Sequence, residues 1–193
     1  VKTKFSIIAI AAFLLLSAVS PTVLVTPRDI SDPTKVFVID HGTHTSLAIQ
    51  ADSETLIRYA YGDKRYYAQR DTSLSSGAKA LLIPTPAVLA RAELEMIQST
   101  EELLDQLPVV VNTVYELDVE ASKASDLIKR LDSFHSQSAQ ELISVPAYGL
   151  EFAPHPSDYQ VFSNSSTMIT SWLRELGVTT IGWGLIASWA IVN

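Results

Sequence analysis

Two short segments about 120 residues apart carry residue types suited to nucleophilic catalysis: His41-Gly42-Thr43-His44 and Ser163-Asn164-Ser165-Ser166-Thr167. A histidine can take up a proton near neutral pH and so serve as a general base. A hydroxyl at a helix N-terminus sits among free backbone N–H groups and the positive end of the macrodipole. Negative charge on a nucleophile or an oxyanion is stabilised there. On residue type alone, His44 is a candidate base and Ser165 a candidate nucleophile. The chain has no cysteine, so a serine must fill the nucleophile's role. Each segment also has a plain structural reading, Ser163, Asn164 or Ser165 as a helix N-cap and His44 as a hydrogen-bonded turn residue.

The elements that must position these residues can be read from periodicity. Val36 to Ile39 is a short β-branched and aromatic run, His44 to Gln50 a second strand, and Leu56 to Tyr61 a third that stops at Gly62-Asp63. Their short connections predict an antiparallel meander. Alternation puts His44, Ser46 and Ala48 on one face of the second strand and Thr45, Leu47 and Ile49 on the other. Tyr59, Tyr61 and Asp63 lie where a third group supporting His44 would stand, with Asn164 and Ser166 as further supporting positions beside Ser165. The spacing of Ile169, Trp172, Leu173 and Leu176 predicts a helix over about 165–176 with its apolar face inward, ended by Gly177. Ser165 lies one turn before Ile169 on that face.

Elsewhere, Ala80 to Ile83 reads as a strand and Ala87 to Leu107 as helical in part. Val109 to Val119 is rich in β-formers, and Glu120 to His135 has a clear helical stripe through Ala124, Leu127, Ile128, Leu131 and Phe134. Residues 144–158, with three prolines, read as a loop, and Tyr159 to Phe162 as a short strand. The fold class is α+β, a mostly antiparallel sheet packed with helices.

The 193 residues fit one domain with a sizeable core. Lys2 and Lys4 precede an apolar run from Phe5 to Val19, followed by small residues. Residues 1–25 therefore read as a secretory signal or a retained N-terminal membrane anchor. Residues 26–35 form a linker and 36–193 the folded domain, placed outside the cytoplasm, either periplasmic or attached to the inner membrane facing outward. Residues 1–20 hold two lysines and no acid, so the remainder carries 12 basic against 21 acidic residues, a net charge of −9. That balance, without any basic cluster, disfavours nucleic acid and anionic lipid as partners. His41 and His44 would point to opposite faces of an extended strand, and without cysteine no further cluster joins them. No metal or cofactor is predicted.

Three motifs in order resemble an uncharacterised bacterial family, catalogued as domain of unknown function number 2459. They are Val38 to Leu47, the Gly62-Asp63 pair followed by Tyr66 and Tyr67, and the gapless stretch Phe162 to Gly177. The order of histidine first and nucleophile second is similar to that of circularly permuted NlpC-type cell-wall peptidases. This resemblance implies a papain-like core, with His44 as base and Ser165 in the usual cysteine position. Two readings follow. One is a cell-envelope hydrolase or acyl transferase acting on amide or ester bonds. The other is a catalytically inactive envelope protein that binds a peptide, glycan or lipid in the same cleft.

Overall fold

The computed structural model describes residues 20–70 and 83–192. Among the described residues ten strands fall into two sheets. The small sheet has the order β10-β1-β9, in which β1 (Thr22–Val25) lies parallel to β10 (Trp189–Val192) and antiparallel to β9 (Thr179–Ile181). The large sheet is antiparallel throughout, in the order β6-β2-β3-β4-β5-β8-β7. Its centre is the predicted meander, β2 (Pro33–Asp40), β3 (Thr45–Gln50) and β4 (Thr55–Asp63). The flanking strands are β5 (Thr85–Glu95), β6 (Thr113–Glu120), β7 (Ile143–Val145) and β8 (Leu150–Tyr159). The α+β class with a large antiparallel sheet is thus as expected.

The described residues also form the α-helices α1 (Thr100–Asp105), α2 (Ala121–Gln137) and α3 (Ser165–Glu175). Both α2 and α3 lay their apolar stripes on one face of the large sheet. Leu127, Leu131, Ile169, Trp172 and Leu173 meet Leu47, Ile49, Tyr59 and Tyr61 there, and Leu24 and Trp189 of the small sheet join the same core. The opposite face carries two separate apolar clusters. One gathers Phe37, Ile39, Ala48 and Leu56 under Leu103 and Leu107; the other gathers Ala60, Val88, Ala90, Leu150 and Phe152.

Two expectations need correction. The helix expected in part of Ala87 to Leu107 is confined to α1, and residues 85–95 form a central strand. Ala, Leu, Arg and Glu favour helices locally, but β5 hydrogen-bonds to β4 and β8 on both edges, and that pairing outweighs propensity. Residues 150–159 also form a strand despite Pro154 and Pro156. The β5–β8 register slips at Pro86/Ala87, so Pro156 falls in a bulge where no ladder donor is required. The strand expected at Ala80 to Ile83 lies mostly outside the described residues, as do the signal or anchor residues 1–19.

The folded unit also reaches further toward the N-terminus than residue 36. β1 occupies residues within the predicted leader, and Leu24 is fully buried. Leu24→Ala should lower the free energy of urea unfolding of the full chain by about 2–5 kcal/mol; a change under about 0.5 kcal/mol would show that β1 contributes nothing to the core.

Candidate functional site

The hairpin between β2 and β3 builds the site. Gly42 adopts φ +89°, a left-handed conformation open mainly to glycine, and its N–H donates to Asp40 Oδ1 at 2.6 Å. The His41 N–H donates to the His44 carbonyl at 2.9 Å, closing the turn. The two imidazoles therefore stack with centroids 6.2 Å apart and line one cavity, instead of pointing to opposite faces as an extended strand would require. Among the described residues no group of three His, Cys, Asp or Glu side chains could hold a metal.

The unanticipated member of the site is Arg58. Along β4 the residues Leu56, Arg58 and Ala60 alternate onto the sheet face away from α2 and α3, and Arg58 falls between the two apolar clusters there. Only 2 % of it is exposed. Its Nε donates to Ser46 Oγ at 3.1 Å, Nη1 to the Tyr148 carbonyl at 3.2 Å and Nη2 to His41 Nε2 at 3.2 Å. Because guanidinium can only donate, His41 Nε2 is the acceptor. The His41 proton then sits on Nδ1 and is donated to the Val110 carbonyl at 2.9 Å. Ser46, fully buried, accepts from Arg58 and donates its own proton to His41 Nε2 at 3.0 Å.

The cation's partners are all neutral, and no carboxylate pairs with Arg58 among the described residues. Burial lowers the Arg58 pKa to about 10, still protonated at neutral pH. Burial, then the nearby Arg58 charge, holds His41 down to about 4 against the opposing effect of its Val110 hydrogen bond. Burial, then His41 and Arg58, holds His44 down to about 3. Both imidazoles are neutral at pH 7, and His44 Nδ1 is a buried nitrogen without a hydrogen-bond partner.

These groups open onto a cavity of about 230 Å³. Tyr67, Tyr148 and Phe152 give it aromatic walls, and Val109 and Val110 form a rim in which Val110 is 77 % exposed. Tyr67 packs on His44 with centroids 4.6 Å apart and covers Gly62 so closely that a Cβ there would stand 2.4 Å from its ring.

The predicted partners of His44 have other work. Asn164 is the N-cap of α3: its Oδ1 accepts from Thr167 N at 3.0 Å, Thr167 Oγ1 accepts from Asn164 N at 2.8 Å, and its amide donates to the Val161 and Leu185 carbonyls. Ser165 follows as the first helical residue, 2 % exposed. Burial foremost pushes the nearby Tyr159 phenol up to about 12. No hydrogen bond joins Ser165 to His44 Nδ1, and Ser165 does not line the cavity. Ser166 is buried, and its carbonyl accepts from Thr170 at 2.8 Å.

Tyr59 faces α2 and donates to Asp132 at 2.6 Å, beside Arg91. Tyr61 donates to the Asp158 carbonyl at 3.0 Å, with Ser163 Oγ at 3.4 Å. Asp63 caps the π-helical turn Lys64–Ala68 through Tyr66 N. None of the three hydrogen-bonds to His44. The sequence signal missed was one cation in an otherwise apolar strand: a charge between Ile57 and Tyr59 cannot be buried without a dedicated set of acceptors. Comparison of the chain with protein-family models, curated proteins and solved structures found no match.

The neutral histidines make stability depend on pH. Unfolded, each takes a proton near 6.5; folded, they resist protonation until about 4 and 3. Between those values the unfolded chain binds more protons, so stability is fully present above pH 6.5 and falls as the pH drops. The slope per histidine is at most about 1.4 kcal/mol per pH unit. Urea titrations from pH 7 to 4.5 should show this fall, and His41→Gln should flatten it; an identical slope in the variant would contradict the burial of a neutral His41.

Proposed function

We propose that this protein is an exported cell-envelope protein that binds a small organic ligand in the cavity beneath the His41–His44 hairpin, with Ser165 in a structural role. The observation that carries this reading is the division of labour between cavity and helix terminus. The cavity combines apolar walls with a few convergent polar groups, the usual make-up of a ligand site. At the helix terminus, by contrast, the N–H of Thr167 is taken by Asn164 Oδ1, and Ser165 lies outside the cavity.

The apolar segment at the N-terminus supports export and either cleavage or anchoring. Among the described residues, no helix is long and apolar enough to cross a membrane. The motif order supports a papain-like origin of the permuted NlpC type, and the packing of α3 against β3 and β4 is the arrangement such an origin would leave. Exchange of a thiol for a hydroxyl fits loss of chemistry: a thiol of pKa near 8.5 gives some thiolate at pH 7, whereas a serine needs an aligned base. Of the envelope ligands considered, an apolar cavity of this size suits a compact side chain or a short acyl group better than a sugar, whose hydroxyls would go unpaired.

A second reading, an amide or ester hydrolase with Ser165 attacking and His44 as base, is favoured by one observation: Ser165 opens a capped helix packed on the strand that follows His44. A fluorophosphonate probe separates the two. The full chain should label no faster than Ser165→Ala. Labelling that disappears in both Ser165→Ala and His44→Ala would overturn the binding reading.

A further inference from the structure

The buried cation specifies what the cavity takes. We infer that it binds an organic monocarboxylate with a compact apolar body, the carboxylate seated on Arg58 and the body between the Tyr67, Tyr148 and Phe152 rings. This rests on the reading of the cavity as a ligand site and names the ligand's class.

Charge is the first argument. A guanidinium taken out of water carries a desolvation cost of several kcal/mol unless a counter-charge repays it, and here Ser46, His41 and the Tyr148 carbonyl supply hydrogen bonds but no negative charge. Guanidinium has five N–H donors. Three are used by these acceptors, which leaves two for a ligand. Arg58 lines the cavity, so a carboxylate entering there meets a fixed cation held by three other bonds. The polar groups nearest to it are also arranged to spare an anion any repulsion, since His41 and His44 are uncharged or cationic at every pH, and no acidic residue lines the cavity.

Size and lining are the second argument. A dry apolar cavity of about 150 Å³ holds a benzene molecule, so about 230 Å³ has room for a ring with a short carboxylate arm, and not for a long acyl chain. The aromatic walls favour a flat or branched hydrocarbon body. A phosphate or sulfate dianion would leave those walls unused and would bring more charge than one cation balances.

The test uses the full chain in nanodiscs, titrated calorimetrically with 3-phenylpropionate and with its uncharged isostere, 3-phenylpropanamide. The acid should bind at least tenfold more tightly than the amide. Arg58→Gln, checked for native circular dichroism, should abolish that preference. Should Arg58→Gln not fold, substitutions at the exposed rim decide: Val110→Glu should lower the acid-to-amide affinity ratio at least threefold, while Val110→Lys should not lower it. Equal affinity for acid and amide would overturn the assignment of an anion while leaving the cavity a ligand site. No binding of either would overturn both. Inorganic phosphate competing as well as the acid would overturn the apolar body.

Discussion

One buried charge constrains the rest of the site. Arg58 stands in the middle of a strand whose neighbours on the same face, Leu56 and Ala60, each belong to an apolar cluster. A guanidinium this buried needs acceptors fixed in place around it. Ser46 comes from the adjacent strand, next to the Ala48↔Arg58 register pair. His41 comes from the end of β2, and the Tyr148 carbonyl from the 3-10 turn before β8. Three separate stretches of chain thus converge on one side chain, and the two apolar clusters are kept apart by it. The cavity is what that separation leaves.

The same charge dictates the chemistry of the histidines. Because Arg58 only donates, the His41 tautomer follows, and with it the direction of the Ser46 proton. Adding a proton to His41 would destroy its acceptor and set two cations side by side in a poorly hydrated site. Both effects, with burial foremost, keep His41 and His44 neutral far below the usual histidine range. A neutral imidazole is a competent base, but a base needs a substrate proton within reach. Among the described residues the only serine that hydrogen-bonds His41 is Ser46, which is fully buried between two partners. The network reads better as a rigid cradle for the cation than as a relay toward a nucleophile.

Legibility in the sequence follows the range of the interactions that decide each element. α3 was readable because its stripe of Ile169, Trp172, Leu173 and Leu176 and its stop at Gly177, φ +88°, are local signals. The β2–β4 meander was readable because its connections are short. β5 was not, since Ala-Val-Leu-Ala-Arg-Ala-Glu-Leu-Glu becomes a strand only through partners at 55–63 and 151–159. β8 was hidden by prolines that a bulge accommodates. At the site, the two histidines stood out by type and spacing, whereas their relation to each other depended on the left-handed turn at Gly42. Arg58 was missed because its meaning lies in burial, and burial of a single charged residue has no periodic signature.

The opening pair of segments separates in the same terms. A helix start and a strand start can each look catalytic alone, because N-caps and turn histidines use the residues that active sites use. What distinguishes the cases is whether the polar atoms have spare valence. Around Asn164 the side-chain amide donates to the Val161 and Leu185 carbonyls and its oxygen accepts from the Thr167 N–H. Around Arg58 two guanidinium donors and a full positive charge remain uncommitted by the three hydrogen bonds. Uncompensated charge beside an open cavity is where a ligand gains most, because the protein has already met the cost of desolvating and orienting its partner.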